Sequence, residues 1–272
     1  MIYNCDTHYQ PMTNLWRKRE LIADFILLDL RGKYRSSYLG LFWSVLNPLA
    51  MLGLYTLVFH VIAKPSWDAP VPGGPGYTLT LFCGIIVFNF LGECLVRAPL
   101  LMASNRSYVK KVIFPIEILP VSIVGSALIH FAISLGVLLL AMLACGRAPA
   151  AAIVALPAIL LPLVLLALGL SWAAALLGVY LRDTAYAMPF LVQGLFFLTP
   201  VVYPLSAVPA RLRPLFQLNV AAIVVEQARG ALLYGRAPDW GAWAAALLAA
   251  AAICALGHTV FMRGKSMLAD AL

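Results

Sequence analysis

The sequence predicts an all-α polytopic membrane protein: six transmembrane helices, an N-terminal amphipathic interface helix, and re-entrant half-helices before the last span. Three observations carry this. First, 63% of the 272 residues are hydrophobic and 11% are charged, whereas a soluble domain carries about 25% charged residues. So few charges cannot coat a globule of this length, and a bilayer must be most of the solvent. Second, apolar runs of the roughly 20 residues that a helical span requires recur along the chain, separated by proline, glycine and charge. Third, a basic amphipathic stretch at 17–35 runs without a break into the first of these runs.

The N-terminal segment, 1–37, is polar, and no short apolar run with a small-residue cleavage site precedes the first long one, so no signal peptide is expected. Within it Arg17, Glu20, Asp24, Arg31 and Arg35 form one polar stripe. Leu21, Ile22, Phe25, Ile26 and Leu28 cover much of the remaining surface, which is the pattern of an interfacial helix. The stripe carries both signs of charge. A helix that only bound anionic lipid would be mostly Lys and Arg, so the stripe favours contact with a cytoplasmic partner over a plain lipid anchor.

The membrane domain covers 38–262, with spans expected at about 38–63, 77–96, 114–145, 150–181, 185–198 and 240–262. A Pro/Gly-rich loop at 64–76 cannot be helix. A polar loop, 97–113, carries Arg106, Lys110 and Lys111. Pro115 and Pro120 bend the start of the third span, and Pro157 and Pro162 lie in the first half of the fourth. The segment 199–239 differs from the rest. Pro200, Pro204, Pro209 and Pro214 break it, and Asn219, Glu226 and Arg229 interrupt its second piece. Short apolar pieces of this kind are expected to be half-helices dipping into the outer leaflet, an outer gate segment. A tail, 263–272, follows the last span.

Six spans place both termini on one side. Of the 19 Lys and Arg residues, 13 fall on that side and six on the other, so the positive-inside rule puts the termini in the cytoplasm. The net charge of +8 is therefore a matter of membrane orientation, and nucleic acid is not expected as a partner. Cys5, Cys83, Cys94, Cys145 and Cys254 include no CxxC pair and read as small packed side chains, not as a disulfide or metal framework.

Gly264-Lys265-Ser266 imitates the end of a phosphate-binding loop, but Thr259 stands where the required glycine would be and a membrane span replaces the preceding strand. No HExxH, GxSxG or paired catalytic carboxylates occur. No catalytic, cofactor-binding or metal-binding residue is expected. Glu93 and Arg97, four apart, can pair on one helix face. Glu117 is expected to reach water at the same membrane interface, and His130 to make a hydrogen-bonded helix contact. Glu226 and Arg229 can pair, cap the half-helix or touch a passing polar substrate; a structural pair with a gating role is the expectation. Tyr38 and Phe42 share one face of the first span, as do Tyr55 and Phe59, while Phe196 and Phe197 cluster in the fifth. These rings serve either packing and interface belts or a path for sugar rings, whose apolar faces slide over aromatic ones.

The stretch 31–49, Arg-Gly-Lys-Tyr-Arg-Ser-Ser-Tyr-Leu-Gly-Leu-Phe-Trp-Ser-Val-Leu-Asn-Pro-Leu, resembles the start of the permeases of type-2 ABC exporters of cell-surface polysaccharide. Asn105 to Pro115 looks like that family's coupling helix. Asn219 to Arg229 looks like its outer gate segment, with Val220 where the family usually has proline. The resemblance implies a homodimeric pore in the bacterial inner membrane with two separate ATP-binding cassette subunits beneath it. ATP and Mg bind on those subunits and none on this chain. Their strokes push on the N-terminal helix (Arg17, Glu20, Asp24) and the loop (Arg106, Lys110, Lys111), and a lipid-linked glycan is threaded outward. O-antigen is the first expectation, with capsule or teichoic acid as alternatives. A drug or lipid exporter of the same architecture, a glycan-modifying membrane enzyme and a membrane scaffold are the rival readings.

Overall fold

A computed structural model describes residues 18–34, 37–58, 76–109, 114–148, 151–203, 208–209, 211 and 213–271. The α-helices among them are α1 (Arg19–Tyr34), α2 (Trp43–Tyr55), α3 (Gly76–Arg97), α4 (Leu101–Ser104), α5 (Arg106–Val109), α6 (Ile118–Ala144), α7 (Leu156–Tyr180), α8 (Thr184–Phe197), α9 (Arg213–Gln217), α10 (Val220–Leu233) and α11 (Trp240–Ala271), and the described residues contain no strand. The Pro/Gly-rich loop at 64–75 and, among the expected functional residues, Arg17, Phe59, Lys110 and Lys111 lie outside the described residues.

Among the described residues four helical stretches are long and apolar enough to cross a membrane: Gly76–Ser104, Ile118–Ala144, Ala151–Tyr180 and Trp240–Lys265. Two shorter apolar helices, Trp43–Val58 and Thr184–Phe197, occupy the places of the expected first and fifth spans. The expected third span begins later than its apolar run, at Ile118, because Pro115 precedes it; Pro120 is tolerated in the first turn, where its missing N–H has no partner to lose. The last helix runs on to Ala271, through most of the segment expected as a tail.

α3 is apolar on every side up to Glu93 and Arg97 in its last turns and is accordingly central. Asn89 is its one exposed residue. α6, α7, α8 and α10 pack around it, and α11 lies along α7. Small residues make that last contact close. A Cβ at Gly169 would meet the backbone of Cys254, and one at Gly257 would meet the backbone of Gly169. Where lipid competes equally for apolar side chains, such backbone approach is what holds helices together. Two helices end on left-handed glycines, a conformation open to a residue without Cβ. Gly146 (φ 69°) closes α6 with Arg147 N donating to Met142 O at 2.9 Å, and Gly235 (φ 62°) closes α10 with Arg236 N donating to Gly230 O at 2.9 Å.

Candidate functional site

α2, α3, α6 and α8 line a cleft of about 730 Å³. Trp43, Tyr55, Phe88, Phe131 and Phe196 line it, interleaved with the amides of Asn47, Asn89 and Gln193. All three amides are exposed, on helices that are largely apolar. Phe88 and Phe196 meet edge to face with centroids 5.2 Å apart, and Phe90 meets Phe131 at 6.4 Å. Of the rings expected to form a sugar path, the structure brings Tyr55 and Phe196 together here. Tyr38 and Phe42 stand exposed and outside the lining, and Phe197 packs on Phe196 at 5.7 Å with its other side exposed. The three amides and Trp43 were not singled out from sequence. The legible signal was a lone amide inside an apolar helix, which is costly unless it faces water or a polar ligand.

One end of the cleft is closed by charge. α1 docks on α6 through Phe25, Ile26, Asp29 and Leu30, and Ile26 fills the notch at Gly125. This leaves Glu20, Asp24 and Arg31 exposed, as the polar stripe predicts, along with Leu27 and Leu28. The docked face carries charges of its own. Arg97 donates to Asp29, to Glu93 at 3.2 Å and to Ser126 Oγ at 3.3 Å. Ser126 Oγ donates to Asp29 at 2.5 Å. Lys33 donates to Glu93 at 2.9 Å, and His130 Nδ1 lies 3.1 Å from the same carboxylate. The expected Glu93–Arg97 pair is thus one edge of a six-residue network. Lys33 was read only as part of the 31–49 stretch and Asp29 in no motif; their i, i+4 spacing on the face of Ile22, Phe25 and Ile26 was the available clue to their pairing.

A second charged node lies beside the start of α6. Glu117 is buried, not water-facing as expected, and accepts from Lys18 at 2.7 Å and Lys265 at 2.8 Å. It precedes the apolar span. Burial raises its pKa, but the bonds from Lys18 and Lys265 lower it by more, so the carboxylate stays ionised. Its carbonyl also accepts from the indole of the buried Trp172 at 3.1 Å. Lys265, the lysine of the false phosphate loop, therefore ties α11 to the start of α6. Phe25, Tyr108 and Phe114 form a ring cluster with centroids 5.1 to 5.3 Å apart, joining α1 to α5, where Arg106 is exposed.

The opposite end is held differently. α8 stops at Phe197, just before Thr199-Pro200, and the chain turns through 199–203 without helix. Each carbonyl from Leu198 to Val202 nevertheless has a donor. Asn219 Nδ2 bonds to Leu198 O at 3.2 Å, Val201 N to Thr199 O at 2.6 Å, and the Tyr77 hydroxyl to Val202 O at 3.4 Å. Arg229 donates to Pro200 O at 2.7 Å, to Val201 O, and to Thr80 O of α3 at 3.0 Å. The Arg229 side chain is 2% exposed. Its expected partner Glu226 is 51% exposed and 3.7 Å away. The pairing expected from the Glu-x-x-Arg spacing is therefore present but long, and backbone carbonyls are the arginine's main partners.

Two kinds of likeness bear on what this arrangement is. The chain is 28% identical over 194 residues to an O-antigen export system permease protein of Myxococcus xanthus, covering 71% of this chain and 72% of that one. It is 24% identical over 223 residues to an O-antigen export system permease protein of Klebsiella pneumoniae, covering 82% and 83%. Residues 28–233, from α1 through α10 and so including the cleft and both of its ends, match the family model of the ABC-2 type transporter, and the chain belongs to that family.

Proposed function

We propose that this chain is the permease subunit of an ATP-driven exporter that carries lipid-linked polysaccharide, O-antigen in the first place, across the bacterial inner membrane. The observation that carries the reading is the cleft. Rings that offer flat apolar faces alternate there with amides that can exchange hydrogen bonds with hydroxyls, which is the chemistry of a sliding sugar chain. The names of the two relatives point to the same substrate class.

α2 and α8 complete six spans, with both termini in the cytoplasm and the Arg229 end outside. α8 is apolar, yet none of its residues is buried, so a second copy of the chain covers it and turns two clefts into one pore. ATP hydrolysis belongs to two partner cassette subunits, as the ABC-2 family implies. Their contact is the exposed charge of α1 (Glu20, Asp24, with Arg17 before it) and of the α5 loop (Arg106, with Lys110 and Lys111 after it). Deleting the gene should leave lipid-linked glycan inside the cell and none at the surface, and re-expression should restore export. The composition of the retained glycan identifies the substrate. Unchanged surface glycan would overturn the reading.

A further inference from the structure

Arg229 is buried among apolar residues, and its charge is answered mainly by carbonyl dipoles. The three carbonyls it reaches belong to two elements, α3 and the turn after α8. The guanidinium meets the three from Nε, Nη1 and Nη2, a spread that the single nitrogen of a lysine does not reproduce. The guanidinium lies against α3 at Gly84, and a Cβ there would overlap it. Val201, held by the same fork, is fully buried against Leu81, Ile85 and Phe88, and Phe196 packs on that cluster. Irregular backbone at membrane depth survives only where protein supplies its hydrogen bonds.

We propose that Arg229, seated on Gly84, is the positioning residue of this end of the cleft. It fixes the 199–203 turn to α3 and so sets the distance between Phe196 and Phe88. Donor geometry at 229 matters, and charge opposition to Glu226 does not. The clamp stands on the geometry alone; its effect on transport rests on the exporter reading.

The test uses the full-length chain with its partner subunits, in membranes open to reagent on both faces. Val201→Cys is introduced with Cys5 and Cys145 replaced by serine, and maleimide labelling is timed. Without a second change the thiol is protected. Gly84→Ala and Arg229→Ala should each speed labelling by about tenfold or more, the opening expected when bonds from a charged donor are lost. Arg229→Lys should restore part of the protection, and Glu226→Gln should leave it intact. Equal labelling in Gly84→Ala and the parent, or release by Glu226→Gln as large as by Arg229→Ala, overturns the clamp. If Arg229→Ala does not accumulate, the contrast of Gly84→Ala with Glu226→Gln decides. Glycan export is measured in parallel. Labelling that follows this pattern in a chain that exports no glycan leaves the clamp standing and sinks the exporter reading.

Discussion

The two ends of the cleft are both built on α3, at residues 80–84 and 93–97, roughly 20 Å apart at 1.5 Å per residue. At the α1 end, two acids and two bases are spread over α1 and α3, with Ser126 and His130 of α6 between them. At the other end one cation binds carbonyls. The first is made of separate partners on separate helices, so moving α1 breaks it one pair at a time. The second is a single side chain bonded to three backbone carbonyls on two elements at once. If the proposed ATPase contact drives the chain from the α1 side, the first suits an element that must move and the second an element that must keep its place.

That contrast can be broken most forcefully by exchanging charges. The double change Glu226→Arg with Arg229→Glu should be no better than Arg229→Glu alone. It sets a carboxylate against three carbonyls, and thermal unfolding in detergent should show a loss of several kcal/mol, about 1–3 per orphaned group. Recovery on the swap would mean that the two residues act as an ion pair after all.

A smaller effect separates the ends by coupling. A double-mutant cycle of Asp29→Asn and Arg97→Gln should return an interaction energy of about 1–3 kcal/mol, because the two share one network. The same cycle on Glu226→Gln and Arg229→Gln should return under about 1 kcal/mol, since Glu226 is half exposed. Similar values at both ends would erase the distinction. Least of all, Lys265→Ala should lower stability by about 1 kcal/mol, as Glu117 keeps Lys18. Nucleotide binding by the assembled complex should be unaffected; its loss would reinstate Gly264-Lys265-Ser266 as a phosphate site.

Much of the fold was legible because a membrane chain has few options. The apolar runs at 77–96, 114–145, 150–181 and 240–262 each fall on one of the four long apolar helices, the last of which runs on to Ala271, since backbone groups in hydrocarbon must bond within their own segment. Pro200 announced the irregular backbone at 199–203 for the same reason. The partners were less legible. Glu93–Arg97 and Glu226–Arg229 are both visible as helical spacings. Spacing cannot say that Arg97 also reaches Asp29 across 68 positions, or that Arg229 also bonds to the carbonyls of the 199–203 turn. Glu117 was read as water-facing because its two lysines lie 99 and 148 positions away.

The sequence by itself determined the solvent, the helical class, the placement of the long spans and the family, because hydrophobicity, helix breakers and local motifs are properties of neighbours in the chain. Tertiary structure alone decided which charges answer one another, which rings and amides face the cleft, and which backbone groups need a foreign donor. Those depend on where α3 meets α1, α6, α8 and α10, and such contacts join residues that local spacing cannot connect.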